Sequence, residues 1–180
     1  MSVPSSVTPP ENVRRSGAIR TGTRVVAEPS AGLVPESAGF DRNCPSADQP
    51  KVAAIVSWYG VFDFTTLVDD PKRDYAISWM GAQPNYQEIA RRVSPMTYVR
   101  AGMPPIIAIH GDADPIVPYE QEVRLIDAVK KAGGVGELVT IPGGGHGNYP
   151  RDQMIRAWTA IDAFLQANVV KKAVTTSAAR

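Results

Sequence analysis

The chain has 180 residues and carries 19 Lys+Arg against 18 Asp+Glu, a formal charge of +1 at pH 7. This balance excludes the basic footprint of a nucleic-acid binder, and the length corresponds to about one domain. With 43% hydrophobic and 21% charged residues, the composition is that of a globular protein rather than a disordered one. No run approaches the roughly 18 consecutive apolar residues of a membrane span, and residues 1–17 lack the apolar centre of a secretory leader. The expectation is a soluble, cytoplasmic protein with no membrane partner. Cys44 is the single cysteine, so there is no internal disulfide and no cysteine-rich zinc cluster.

In chain order, residues 1–22 mix Pro, Ser, Thr, Gly and Arg without periodicity and read as a flexible arm. A weak strand follows at 23–27. Residues 52–58, 105–109 and 137–141 read as buried strands, the first two apolar on both faces, as in a sheet covered by helices on each side. The segment 119–132 predicts a helix: Pro118 precedes it, Glu120 and Glu122 sit at its positive end, Lys130 and Lys131 at its negative end, and Gly133 terminates it. Its apolar stripe is Val123, Ile126 and Val129. A last helix at 151–168 has Met154, Trp158, Ile161 and Leu165 on one side. Residues 61–100 are punctuated by Pro71, Pro84 and Pro95 and read as an insertion above the strand ends, with short helices at 75–80 and 86–92. Residues 169–180 read as a disordered tail. The fold class is therefore α/β, a mostly parallel sheet with helices on both faces spanning 23–168.

The chemistry lies after the last two strands. The first runs into His110-Gly111-Asp112-Ala113-Asp114-Pro115-Ile116-Val117-Pro118, the second into Pro142-Gly143-Gly144-Gly145-His146-Gly147. A right-handed crossover through the 119–132 helix makes these strands parallel neighbours, so both turns emerge at the carboxyl edge of the sheet, where open α/β sheets bind ligands. An acid from the first turn, Asp112 or Asp114, can then orient His146 and leave its other ring nitrogen free to take a proton.

Other readings of these residues are weaker. His110 reads as a hydrogen-bonded structural histidine. The Asp-x-Asp pair has no further carboxylate or histidine at ligand spacing, so no metal is implied. Glycines 143–145 lack the Lys and Ser or Thr of a phosphate loop and serve to turn the chain and present His146. Trp58 reads as core and Tyr59 as pocket wall, and Cys44 has no base partner.

The chain resembles the α/β-hydrolase superfamily, in particular its esterase and prolyl-oligopeptidase-like branch, peptidase family S9. The resemblance covers about residues 52–168 and rests on His-Gly-x-x-Asp-x-x-Val-Pro, on the Gly-rich turn with His146, on Trp58-Tyr59-Gly60 and on Val93-Ser94-Pro95-Met96. It implies a partial α/β-hydrolase fold with the N-terminal strands absent, Asp114 as triad acid and His146 as triad base; Asp112 then reads as a binder of local backbone amides, a common role for Asp in turns. A carboxylic ester or peptide is the implied substrate, and no cofactor is implied. The nucleophile of that superfamily sits in Gly-x-Ser-x-Gly. The nearest match here is Glu28-Pro29-Ser30-Ala31-Gly32, with Glu28 in place of the first glycine and Pro29 fixing φ beside the serine. Ser30 is the candidate nucleophile, and Ser37 in a second Ser-Ala-Gly ranks below it. The sequence thus carries acid and base with a degenerate nucleophile, and two functions follow: a serine hydrolase, or an inactive fragment of one. An exposed edge at strand 23–27 or 52–58 also predicts self-association.

Overall fold

The computed structural model describes residues 24–26, 33–39, 52–70, 76–78, 81 and 83–170. Four strands form one parallel sheet, β1 (Arg24–Val26), β2 (Val52–Trp58), β3 (Ile106–Gly111) and β4 (Gly136–Ile141), in the order β1-β2-β3-β4. Among the described residues the longer helices are α1 (Tyr86–Val93), α2 (Glu120–Lys131) and α3 (Arg151–Leu165).

The continuous apolar runs of β2 and β3 have their expected consequence. Side chains alternate between faces, and each face of the sheet meets its own helix. Ile55, Ile106 and Ala108 pack with Leu125, Ile126 and Val129 of α2. Val56, Ile107, Ile109, Val139 and Ile141 pack with Ala157, Ile161 and Phe164 of α3. Register fixes the strand ends: Ile107 pairs with Glu137, His110 with Thr140 and Gly111 with Ile141.

Several boundaries move. β3 runs through His110 and Gly111, because the neighbouring β4 continues to offer ladder partners where the sequence reads as a turn. The buried side of α2 is Gln121, Glu122, Leu125, Ile126 and Val129, so Ile126 and Val129 of the expected stripe are buried and Val123 is not. After α3 a π-helical turn, Gln166–Val170, comes against β2, so residues 169 and 170 belong to the folded body rather than to a tail. The flexible arm 1–22 and residues 171–180 lie outside the described residues.

The 61–100 segment is pinned to α2. Gln121 Oε1 accepts from the backbone N–H groups of Phe62 and Asp63, and its Nε2 donates to the Asp63 carbonyl and to Thr66 Oγ1. Arg124 pairs with the Asp63 carboxylate. Leu67, Val68, Ala76 and Ala90 form a small core of this segment, with Phe64 and Tyr86 against it. Phe62 is fully buried in the main core. Tyr75, Trp79 and Cys44 lie outside the described residues, and within the expected 75–80 helix residues 76–78 are helical. No described helix is long and apolar enough to cross a membrane.

Candidate active site

The last two strands deliver their turns side by side. The Asp112 N–H donates to the Ile141 carbonyl and the Ala113 N–H to the Gly144 carbonyl, stitching the loop after β3 to the loop after β4. The Asp112 carboxylate accepts from the Gly143 N–H at 2.7 Å. Asp112 therefore caps the neighbouring turn, 31 residues away, rather than amides of its own turn. That local role falls to Asp114, whose Oδ1 accepts from the N–H groups of Ile116 and Val117 at 2.7 and 3.0 Å.

With Oδ1 so occupied, Asp114 Oδ2 faces two imidazoles. His146 Nδ1 lies 2.8 Å from it and His110 Nε2 lies 3.1 Å from it. Burial pushes the Asp114 carboxyl up, but the His146 hydrogen bond, the two backbone donors and the His146 charge outweigh it, and the pKa falls below the ordinary 3.8. Asp114 is thus a carboxylate and only accepts, so Nδ1 of His146 carries a proton and Nε2 of the neutral ring is free. The His146 side chain is 32% exposed, against 0% for Asp114. Tyr59 covers it, ring centroids 4.5 Å apart. The expected pairing of residues 114 and 146 at one edge of the sheet is met.

Tyr59 reaches that position through an unusual backbone. Its φ is +42°, a left-handed value rare for a residue with a large side chain, and its N–H donates to the Ile109 carbonyl. Trp58 beside it stacks on Tyr149, centroids 6.4 Å apart, and tilts against Trp158 at 5.6 Å.

Behind Asp114 lies a group that the sequence did not assign. His110 Nδ1 is 2.7 Å from Glu122 Oε2, both side chains fully buried. Glu122 Oε1 accepts from the Gly60 N–H at 2.8 Å and from Ser57 Oγ at 3.3 Å. His110 is hydrogen-bonded, as expected, but its partner came from α2, where Glu122 looked like a surface acid favouring the helix dipole. The signal was available in helical spacing alone: Glu122 precedes Leu125, Ile126 and Val129 by three, four and seven positions.

Ser30 lies outside the described residues. Ser37 is exposed in a 3₁₀ turn, Glu36–Ala38, with no strand leading into it among the described residues.

Comparison with known proteins agrees with this architecture. The chain is 31% identical over 107 residues to the probable carboxylic ester hydrolase LipM of Mycobacterium tuberculosis, an overlap of 56% of this chain and 24% of LipM. Esterase LipC of the same organism is 27% identical over 125 residues, 65% of this chain and 30% of LipC. Among solved structures, the apo form of Thermogutta terrifontis esterase 2 superposes with a TM-score of 0.58 at 27% identity, over 76% of this chain and 49% of that one. The chain therefore spans between about a quarter and a half of these relatives. The model of the BD-FAE family matches residues 29–129, a stretch that holds Ser30 and Asp114 and ends before His146. With more than half of its length inside that match, the chain belongs to the BD-FAE family and to the α/β-hydrolase superfamily.

Proposed function

We propose that the chain serves in hydrolysis of carboxylic esters by the serine route, with His146 as general base and Asp114 as its orienting acid. The observation that carries this reading is the 2.8 Å contact between His146 Nδ1 and Asp114 Oδ2, which leaves Nε2 of a partly exposed ring to face a nucleophile. In the proposed reaction a serine oxygen attacks the acyl carbonyl while His146 Nε2 takes its proton. The same nitrogen then returns that proton to the departing alcohol, and Asp114 balances the transient imidazolium. Ser30 is the proposed nucleophile, since it is the serine in the sequence nearest to a nucleophile elbow. The esterase relatives support an ester over a peptide as substrate, a small acyl ester being the class to try first.

A second reading has its own observation. Glu28 and Pro29 stand where the elbow needs a glycine and a free backbone, so a chain with intact acid and base could bind an ester without forming an acyl-enzyme. One experiment separates the two. Wild type is incubated with a chromogenic short-chain ester and with a serine-reactive phosphonate, and the labelled peptide is mapped by mass spectrometry. Turnover, with a label on Ser30 that Ser30→Ala abolishes, is expected. Labelling that survives Ser30→Ala overturns the nucleophile, and a chain that neither turns over nor labels is the inactive form.

A further inference from the structure

We propose that Glu122 and His110 are positioning residues for the acid–base pair: Glu122 holds His110 as an imidazolium, and that ring pins Asp114 through the same carboxylate oxygen on which His146 depends. This rests on the roles given above to Asp114 and His146.

The argument begins with proton counting. His110 Nε2 lies 3.1 Å from the Val117 carbonyl and 3.1 Å from Asp114 Oδ2. A carbonyl oxygen only accepts, so Nε2 carries a hydrogen in every protonation state. The remaining proton belongs to the 2.7 Å contact between His110 Nδ1 and Glu122 Oε2. On the far side of Glu122, the Gly60 N–H and the Ser57 hydroxyl both aim at Oε1. Two donors on one carboxyl stabilise its anionic form, which leaves the proton on the ring. His110 then has a carboxylate at each nitrogen.

The surroundings agree. The groups facing His110 are Glu122 from α2, Asp114 and the Val117 carbonyl from the loop after β3, and the edge-on ring of Tyr119 at 5.8 Å. His146 approaches the same Asp114 oxygen from the turn after β4. Arg124, the nearest α2 cation in sequence, is engaged by Asp63. Burial opposes a charged His110, but the Glu122 hydrogen bond and charge and the Asp114 charge outweigh it, and its pKa is raised above the ordinary 6.5. Glu122 is also raised, chiefly by burial, against His110, Gly60 and Ser57. Taken as a pair, both directions describe one shared proton held more tightly than either group would hold it alone.

The arrangement closes on itself. Glu122 holds Gly60, next to Tyr59, and Tyr59 lies over His146, which is held by Asp114, which is held by His110. One helical carboxylate therefore sets both the acid that orients His146 and the loop that covers it.

The chain contains only two histidines, so ¹⁵N-histidine-labelled protein shows two imidazoles, assigned with His146→Asn. In wild type, His110 is expected to keep both ring nitrogens protonated from about pH 6 to about pH 8, with loss of that state in Glu122→Gln, whose amide can still accept from Gly60 and donate to Nδ1. A bare Nδ1 in the wild type near neutrality overturns the proposal, as does a Glu122→Gln ring that stays doubly protonated. The wild-type spectrum decides the matter even if the variant fails to fold, and it does so without any catalytic turnover. A wild type inactive on esters therefore counts against the proposed function alone. Where turnover is present, Glu122→Gln leaves Asp114 acting on His146 with its full charge, and the acidic limb of kcat/KM moves to higher pH. A lower rate with an unmoved limb would mean that Glu122 only supports the fold.

Discussion

Gly111 shows how little room separates the two turns. A Cβ built there would lie 2.1 Å from the Gly144 carbonyl oxygen and 2.4 Å from its carbon, so the end of β3 and the turn that carries His146 touch backbone to backbone. Gly111→Ala has to push that turn away, loosening the Ala113 to Gly144 and Asp112 to Gly143 hydrogen bonds. Since displacement of a reacting group by about 1 Å can cost about 10²-fold, we expect ester kcat/KM to fall by about that factor while the circular-dichroism spectrum is unchanged. An alanine variant with wild-type kinetics would show that the turn has slack. The sequence assigned glycines 143–145 to turning the chain and presenting His146; of these, Gly143 takes a left-handed backbone, φ +66°, but the role of Gly111 as the point of closest approach left no local signal. A meeting of His146 with an acid of the turn after β3 was readable because each turn follows a strand and the strands had to be neighbours, whereas the choice of Asp114 over Asp112 came from the resemblance. Glu122 was not readable, because a buried carboxylate looks like any helical glutamate until the helix is laid on the sheet.

At the scale of elements, α2 does more than cross over. One side buries Leu125, Ile126 and Val129 in the core, and its first turn presents Gln121 to the segment after β2 and Glu122 to His110. Leu125 is fully buried, and Leu125→Ala is expected to lower stability by about 2–5 kcal/mol, read as a shift of the urea midpoint at constant m-value. A cost below about 1 kcal/mol would mean that α2 is not held by that face. The type and order of the strong elements were legible because both the continuous apolar strands and the capped, charge-biased helix are strong periodic signals. The stripe on α2 was right at Ile126 and Val129 but missed Gln121 and Glu122, because they are polar and a polar residue is counted outward until a buried partner is known. The 61–100 segment stayed obscure for the same reason: Gln121 and Arg124, which fasten its start, lie 59 and 61 residues from Phe62 and Asp63, the residues they hold.

For the whole molecule, the buried titrating groups at the site act in opposite directions, Asp114 on one side and the coupled Glu122–His110 pair on the other. Asp114, with its pKa below the ordinary 3.8, contributes stability that is present above that value and is lost as pH falls further. His110, raised above 6.5, contributes stability that is complete below that value and is lost as pH rises through its own higher pKa. Both contributions are intact between pH 3.8 and pH 6.5, so thermal unfolding monitored across pH should give its highest midpoint inside that window. A midpoint that climbs steadily through pH 8 would contradict the assignment of His110. The parallel sheet was legible in outline, whereas the stretch around Ser30, where propensity is weak and proline frequent, gave no element on which to place a nucleophile.

The sheet order β1-β2-β3-β4 follows the chain without a single exchange of neighbours. Glu122, His110, Asp114 and His146 consequently all hang on one strand–helix–strand unit and the turn beyond it. A graft that carried this continuous stretch into another parallel sheet would bring the four side chains across together, leaving the host to supply the alcohol to be activated, the two donors that Ser57 and Gly60 give to Glu122 and the ring that Tyr59 lays over His146.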